Sequence, residues 1–195
     1  MSSIDAAEAP LKSSATPPPE YKSSMGLVVD VALRVLLFGT GLVAIIVMVA
    51  SKQTKMIPVA PGIAVPLDAK FSHSPAFIYL VAALSVACLY SIITGVLSVL
   101  AFVRGGTSTK LQFHFVMFDA LLLGIVAAAT GAAGGVAYVG LKGNSHTRWN
   151  KICNTYGSFC FHFAASILLS LVSSITLLLL VWLSLYMLSK KIARR

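Results

Sequence analysis

The sequence predicts an all-α fold: a membrane-spanning four-helix bundle behind a disordered N-terminal tail. Three observations carry that reading. Hydrophobic residues make up 57% of the 195 and charged residues only 11%, against about 25% in a soluble domain. The mean hydropathy is +0.88. The apolar residues are gathered into four stretches, each longer than the ~20 residues a helix needs to cross ~30 Å of hydrocarbon. A chain so poor in polar side chains cannot cover itself in water, so lipid is the solvent for most of it.

The chain divides into a tail, residues 1–24, and a four-span domain, residues 25–192. The tail, MSSIDAAEAPLKSSATPPPEYKSS, is rich in Ser, Pro and Ala. Its three consecutive prolines favour polyproline II, and nothing in it can build a core. The spans cover about 27–50, 76–103, 111–139 and 161–188. Backbone groups in lipid must be satisfied within the segment, so these are helices. The first is too long, and too far from the N-terminus, for the 7–15-residue core of a cleaved signal peptide.

Four spans put both termini on one side. That side carries Lys12, Lys22, Arg104, Lys110, Lys190, Lys191, Arg194 and Arg195, and the other Lys52, Lys55, Lys70, Lys142, Arg148 and Lys151. The excess, strongest in the closing KKIARR, favours cytoplasmic termini. Trp182 and Tyr186 stand one turn apart near that end as interfacial anchors. Cys153 and Cys160 then share an outer loop, where an oxidising compartment permits a disulfide; two free thiols are the alternative. His146 and His162 flank the pair, but the spacing matches no metal pattern, and no metal site is expected. The net charge of +9 is scattered and forms no basic stripe. It suits anionic lipid headgroups and excludes a nucleic-acid partner.

Two ionisable residues lie well inside spans, Arg34 in the first and Asp119 in the third. These spans run in the same direction, and at 1.5 Å per residue both side chains sit roughly 10 Å in from the same membrane face. An unpaired charge near the bilayer centre costs about 2.5–3.5 kcal/mol on insertion scales, so mutual pairing is favoured. Asp30 is a competing partner, four residues before Arg34 on one helix face, and a shared Asp30–Arg34–Asp119 cluster is also open. Arg34 could instead snorkel to the headgroups, leaving Asp119 protonated or bonded elsewhere. In the third span Ala127, Gly131 and Gly135 form a small-xxx-small series that permits close helix approach, within the bundle or to another protomer. No phosphate-binding loop, HExxH, GxSxG or acidic pair occurs, so neither an enzyme nor a cofactor is expected.

These features resemble a known family. The arginine in ALRVLLFGTGLVAIIVMVAS, the aspartate in FDALLLGIVAAATGAAGGVAYVG, the loop KICNTYGSFC and the closing LYMLSKKIARR are similar to the plant Casparian strip membrane protein-like (CASP-like) family, in particular its first subfamily. The resemblance covers all four spans. It implies a fold related to the MARVEL tetraspan proteins, a plasma-membrane location with cytoplasmic termini, and no catalytic activity. It also implies homo- and hetero-oligomers with related four-span proteins that organise a membrane domain, and cell-wall enzymes as partners. Carried over by position, Arg34 and Asp119 are the intramembrane pair, and Cys153 and Cys160 the outer-loop cysteines. Casparian-strip members proper carry an aromatic-rich signature before the second span. SKQTKMIPVAPGIAVPLDAKFSHSPAF lacks it. The expectation is therefore a membrane scaffold, the alternative a small transporter or channel subunit using Asp119 as a proton or ion site.

Overall fold

A computed structural model describes residues 20–60, 63–70, 72, 74–103, 109–143, 146, 151, 153 and 157–193. Its elements in chain order are helix α1 (Glu20–Ala50), strands β1 (Lys52–Ala60) and β2 (Ile63–Lys70), and helices α2 (Pro75–Val103), α3 (Thr109–Lys142) and α4 (Gly157–Ile192). All four helices are long and apolar enough to cross a membrane. The tail expected over residues 1–24 lies mostly outside the described residues. Its last part is an exception: α1 already begins at Glu20. An acidic residue such as Glu20 suits a helix N-terminus.

The bundle is cyclic. α1 packs on α2 and α4, and α3 packs on α2 and α4, so α1 and α3 face each other across a diagonal. Neighbours are antiparallel, and β1, β2 and the α3–α4 connection share one end; the termini and the α2–α3 connection share the other. The core runs along the axis through Leu37, Ala44 and Met48 of α1, Leu80, Leu84 and Ala87 of α2, Val126, Ala129 and Ala133 of α3, and Leu177 and Leu180 of α4. Phe163 closes the hairpin end, its ring 4.3 Å from Phe77 and 4.2 Å from Phe159.

Polarity inside the bundle comes from hydroxyls, most of them on α4. Ser166, Ser170, Ser173, Leu177, Leu180 and Ser184 are all buried. Their alternating spacing of three and four residues makes one seam facing the bundle. Ser166 Oγ donates to the Ala44 carbonyl at 2.9 Å, Thr40 and Ser173 share a hydrogen bond at 2.9 Å, and Thr130 Oγ1 donates to Ser170 at 3.1 Å. Large apolar residues such as Leu168, Leu178 and Trp182 are exposed on the opposite face. Lipid tails are as apolar as leucine, so leucines have little reason to point inward. Small hydroxyl residues let backbones approach and bond across the helix pair.

A β-hairpin is added to the helical architecture. β1 and β2 pair antiparallel from Lys52↔Lys70 to Ala60↔Ile63, with an irregularity between Pro58 and Ala60. In a two-stranded sheet both strands are edges, and edges tolerate Pro58 and Pro66, which a central strand would not. The prolines hide the alternating pattern from a periodicity reading.

Candidate functional site

The buried charges are set in the half of the bundle nearer the termini. Arg34 is 2% exposed and Asp119 is 0% exposed. Both lie on core-facing stripes, Arg34 one turn before Leu37 and Asp119 three residues before Leu122. An arginine side chain is long enough to cross the bundle diagonal, which a lysine, with one point charge, could span but not bridge as a fork. The guanidinium meets Asp119 in parallel, Nη1 to Oδ1 at 3.5 Å and Nη2 to Oδ2 at 3.3 Å. Its Nε donates to Asp30 Oδ2 at 3.1 Å. The two carboxylates are therefore not exclusive competitors; the structure brings both to one arginine.

Helix α2 completes the cluster, and sequence reasoning missed its part. Thr94 Oγ1 accepts from Arg34 Nη1 at 2.7 Å and donates to the Tyr90 carbonyl at 2.7 Å. Ser98 Oγ donates to Asp30 Oδ2 at 2.8 Å. The Arg34 guanidinium also lies 5.9 Å from the Tyr90 ring centroid and 5.5 Å from that of Phe115, within reach of a cation–π interaction. Thus every Arg34 nitrogen has a partner, and three helices are tied to it. The signal was present as Ser91, Thr94 and Ser98, hydroxyls at helical spacing in an otherwise apolar span.

A tier of buried hydroxyls continues deeper into the bundle from the cluster. Leu37, Leu122 and Leu177 are buried among these hydroxyls, with Ser174 and Thr176 buried beside Leu177 on α4. The interior is thus more polar than counting ionisable residues implied. The extra groups are hydroxyls returning their protons to backbone carbonyls one turn back, as Ser173 does to Leu169, Ser174 to Ser170 and Thr176 to Val172.

Ala127, Gly131 and Gly135 are placed differently. All three are exposed on α3, and a Cβ added at Gly131 or Gly135 would meet nothing within 4 Å. The small series therefore faces away from the bundle. Gly41 performs the close approach inside it: a Cβ there would stand 2.9 Å from Cys88 Sγ on α2. At the hairpin end Cys153 and Cys160 form a disulfide that ties the α3–α4 connection to the first turn of α4. Each sulfur is spent on the other, so neither is a thiolate ligand for a metal.

A Phe-His-Phe triplet occurs twice, at 113–115 and 161–163, near the starts of α3 and α4 and so at opposite membrane faces. In each, the histidine is exposed and its Nδ1 bonds the carbonyl four residues back, Lys110 for His114 and Ser158 for His162. The preceding Phe113 and Phe161 are exposed and edge-on to their histidines. An apolar ring beside a polar one suits the interface between hydrocarbon and headgroups.

With this geometry in hand, comparison with known proteins is decisive. The family described as Casparian strip membrane protein domain matches residues 23–176, which hold all of the buried cluster and the disulfide. The chain belongs to that family. CASP-like protein 1D1 of Populus trichocarpa is 50% identical over 186 residues, 94% of each chain. CASP-like protein 1D1 of Vitis vinifera is 55% identical over 85% of this chain and 80% of its own. CASP-like protein 1 of Panax ginseng is 58% identical over 75% of this chain and the whole of its own. No solved structure matches. The chain is thus a CASP-like four-span membrane protein, and its relatives are named as membrane proteins and not as enzymes.

Proposed function

We propose that this CASP-like protein is a non-catalytic scaffold of the plasma membrane, which self-associates with copies of itself and related four-span proteins and organises a membrane patch that positions wall-modifying enzymes. The outward small-residue face of α3 carries the reading. Ala127, Gly131 and Gly135 repeat every four residues, are exposed, and do no packing within the bundle. In lipid, a face of this kind lets a second helix approach closely enough for van der Waals contact to replace lipid contact. The Arg34 cluster supports the same reading by holding α1, α2 and α3 in one register, so that the face is presented rigidly.

The termini are cytoplasmic in this proposal. The basic residues after α4 favour that side, and the formed disulfide at the opposite end suits an oxidising exterior. The test is step-counting photobleaching of a tagged chain at native expression. Several copies per spot are expected, and Gly131→Ile with Gly135→Ile should reduce them to single copies without lowering thermal stability in detergent. Free diffusion of the wild type as a monomer overturns the proposal. The transporter alternative draws on the buried hydroxyls, but the two-oxygen engagement of Asp119 by Arg34 weighs against a conducting path. Proteoliposome flux abolished by Asp119→Asn would reinstate it.

A further inference from the structure

A cleft of about 310 Å³ opens at the hairpin end, between the last turn of α1 and the first turns of α4. It lies outside the buried cluster and away from the small face of α3. Its lining changes character along its length. Ile46, Val47, Ala50 and Phe159 supply its apolar lining, the exposed Lys52, Ser158 and His162 a polar rim, and Ser51 is buried. From Ile46 to Ala50, the last residue of α1, the helix rises about 6 Å. Within that rise the apolar window of α1 ends at Ala50, and on the facing helix the window of α4 begins at Gly157. The cleft therefore sits where hydrocarbon gives way to headgroups, and on α1 its lining passes from apolar to polar toward that boundary.

The rim has one sign. Lys52 is exposed, and no lining residue is acidic. His162 has Nδ1 engaged by the Ser158 carbonyl at 2.7 Å, which leaves Nε2 as the ring's other polar atom. Ser51 Oγ donates to the Val47 carbonyl at 2.6 Å and so covers part of the negative end of α1.

We propose that this cleft binds one anionic phospholipid of the hairpin-side leaflet, with the phosphate at Lys52 and the upper acyl chain along Ile46 and Val47. The volume is near the lower end for a small-molecule pocket, and it takes the glycerol-phosphate region and the top of one chain, not a whole lipid.

Native mass spectrometry of the full chain, released from nanodiscs of equal phosphatidylglycerol and phosphatidylcholine, tests the proposal. One phosphatidylglycerol should be retained per protomer in preference to phosphatidylcholine. Lys52→Glu should lower its retention about tenfold, in line with the ~1 kcal/mol that one basic residue contributes near an anionic surface and the reversal of that charge, whereas Lys52→Arg should keep it. Ala50→Trp, which fills the cleft and leaves the charges in place, should also abolish retention. Lys142→Glu, an exposed lysine at the same membrane end, should leave it unchanged. Equal losses for Lys142→Glu and Lys52→Glu would mean diffuse surface attraction and overturn the site. So would equal retention of the two lipids, or full displacement of the lipid by millimolar inorganic phosphate, which would identify a free-anion site. Unchanged thermal unfolding of each variant in detergent separates loss of the site from loss of the fold.

Discussion

Arg34 is the residue on which the bundle's polar interior depends. Its fork engages Asp119, its Nε engages Asp30, and Thr94 takes the remaining approach. Removing one member of a buried pair leaves the other charged and unsolvated, at a cost of about 3–5 kcal/mol, more than the pair contributes over an apolar replacement. Asp119→Ala is therefore expected to lower stability by about that amount, read as a shift in an unfolding titration in mixed micelles. Asp30→Asn should cost only about 1 kcal/mol, because an amide oxygen can still accept from Ser98 and Arg34. Should Asp30→Asn prove the more damaging of the two, Asp30 and not Asp119 would be the principal partner. The depths of Arg34 and Asp119 were legible from residue counts along two parallel spans. Thr94 and Ser98 were not, because a hydroxyl in an apolar span reads the same whether it returns to its own carbonyl or reaches a neighbouring helix.

At the scale of elements, glycine has opposite meanings on two helices. Gly41 lies where α1 and α2 touch, with Cys88 Sγ in the way of any Cβ, while Gly131 has open space around it. Gly41→Ala should destabilise by about 1 kcal/mol, the strain of overpacking outweighing what alanine gains in helix propensity. Cys88→Ala should relieve much of that loss in the double variant. Gly131→Ala should leave the protomer as stable or up to about 1 kcal/mol more stable. Thermal unfolding of the four proteins in one detergent measures all of this, and a stabilising Gly41→Ala would contradict the contact. The disulfide is also an element-scale feature, closing the short connection that starts α4. Alkylation without reductant should label Cys88 alone, and only after unfolding, since Cys88 is buried and the other two cysteines are bonded.

For the whole molecule, the division of labour is between a bundle that holds itself together and surfaces turned outward. The hairpin touches the bundle mainly through β1 against α4, and a two-stranded hairpin has little stability of its own. Replacing residues 53–69 by a short Gly-Ser linker should leave membrane insertion and the thermal transition of the bundle unchanged, as read by fluorescence-detected gel filtration. A collapse of the bundle on that replacement would show that the hairpin belongs to the core. Self-association, by contrast, should follow α3 and not the hairpin.

The number of spans, their antiparallel order, the equal depth of Arg34 and Asp119 and the family all follow from the sequence alone. They depend on composition, length and local motif, which are properties of one segment at a time. Tertiary structure decided which face of each helix looks inward. In lipid that choice is weakly coded, because hydrophobicity does not separate core from surface. So Ser166, Ser170 and Ser173 point in while Leu168 and Trp182 point out, and Gly131 is turned away from the bundle although its motif reads as a packing signal. The joining of Asp30, Thr94 and Ser98 to the Arg34–Asp119 pair was settled in the same way, by the rotation of three helices against one another.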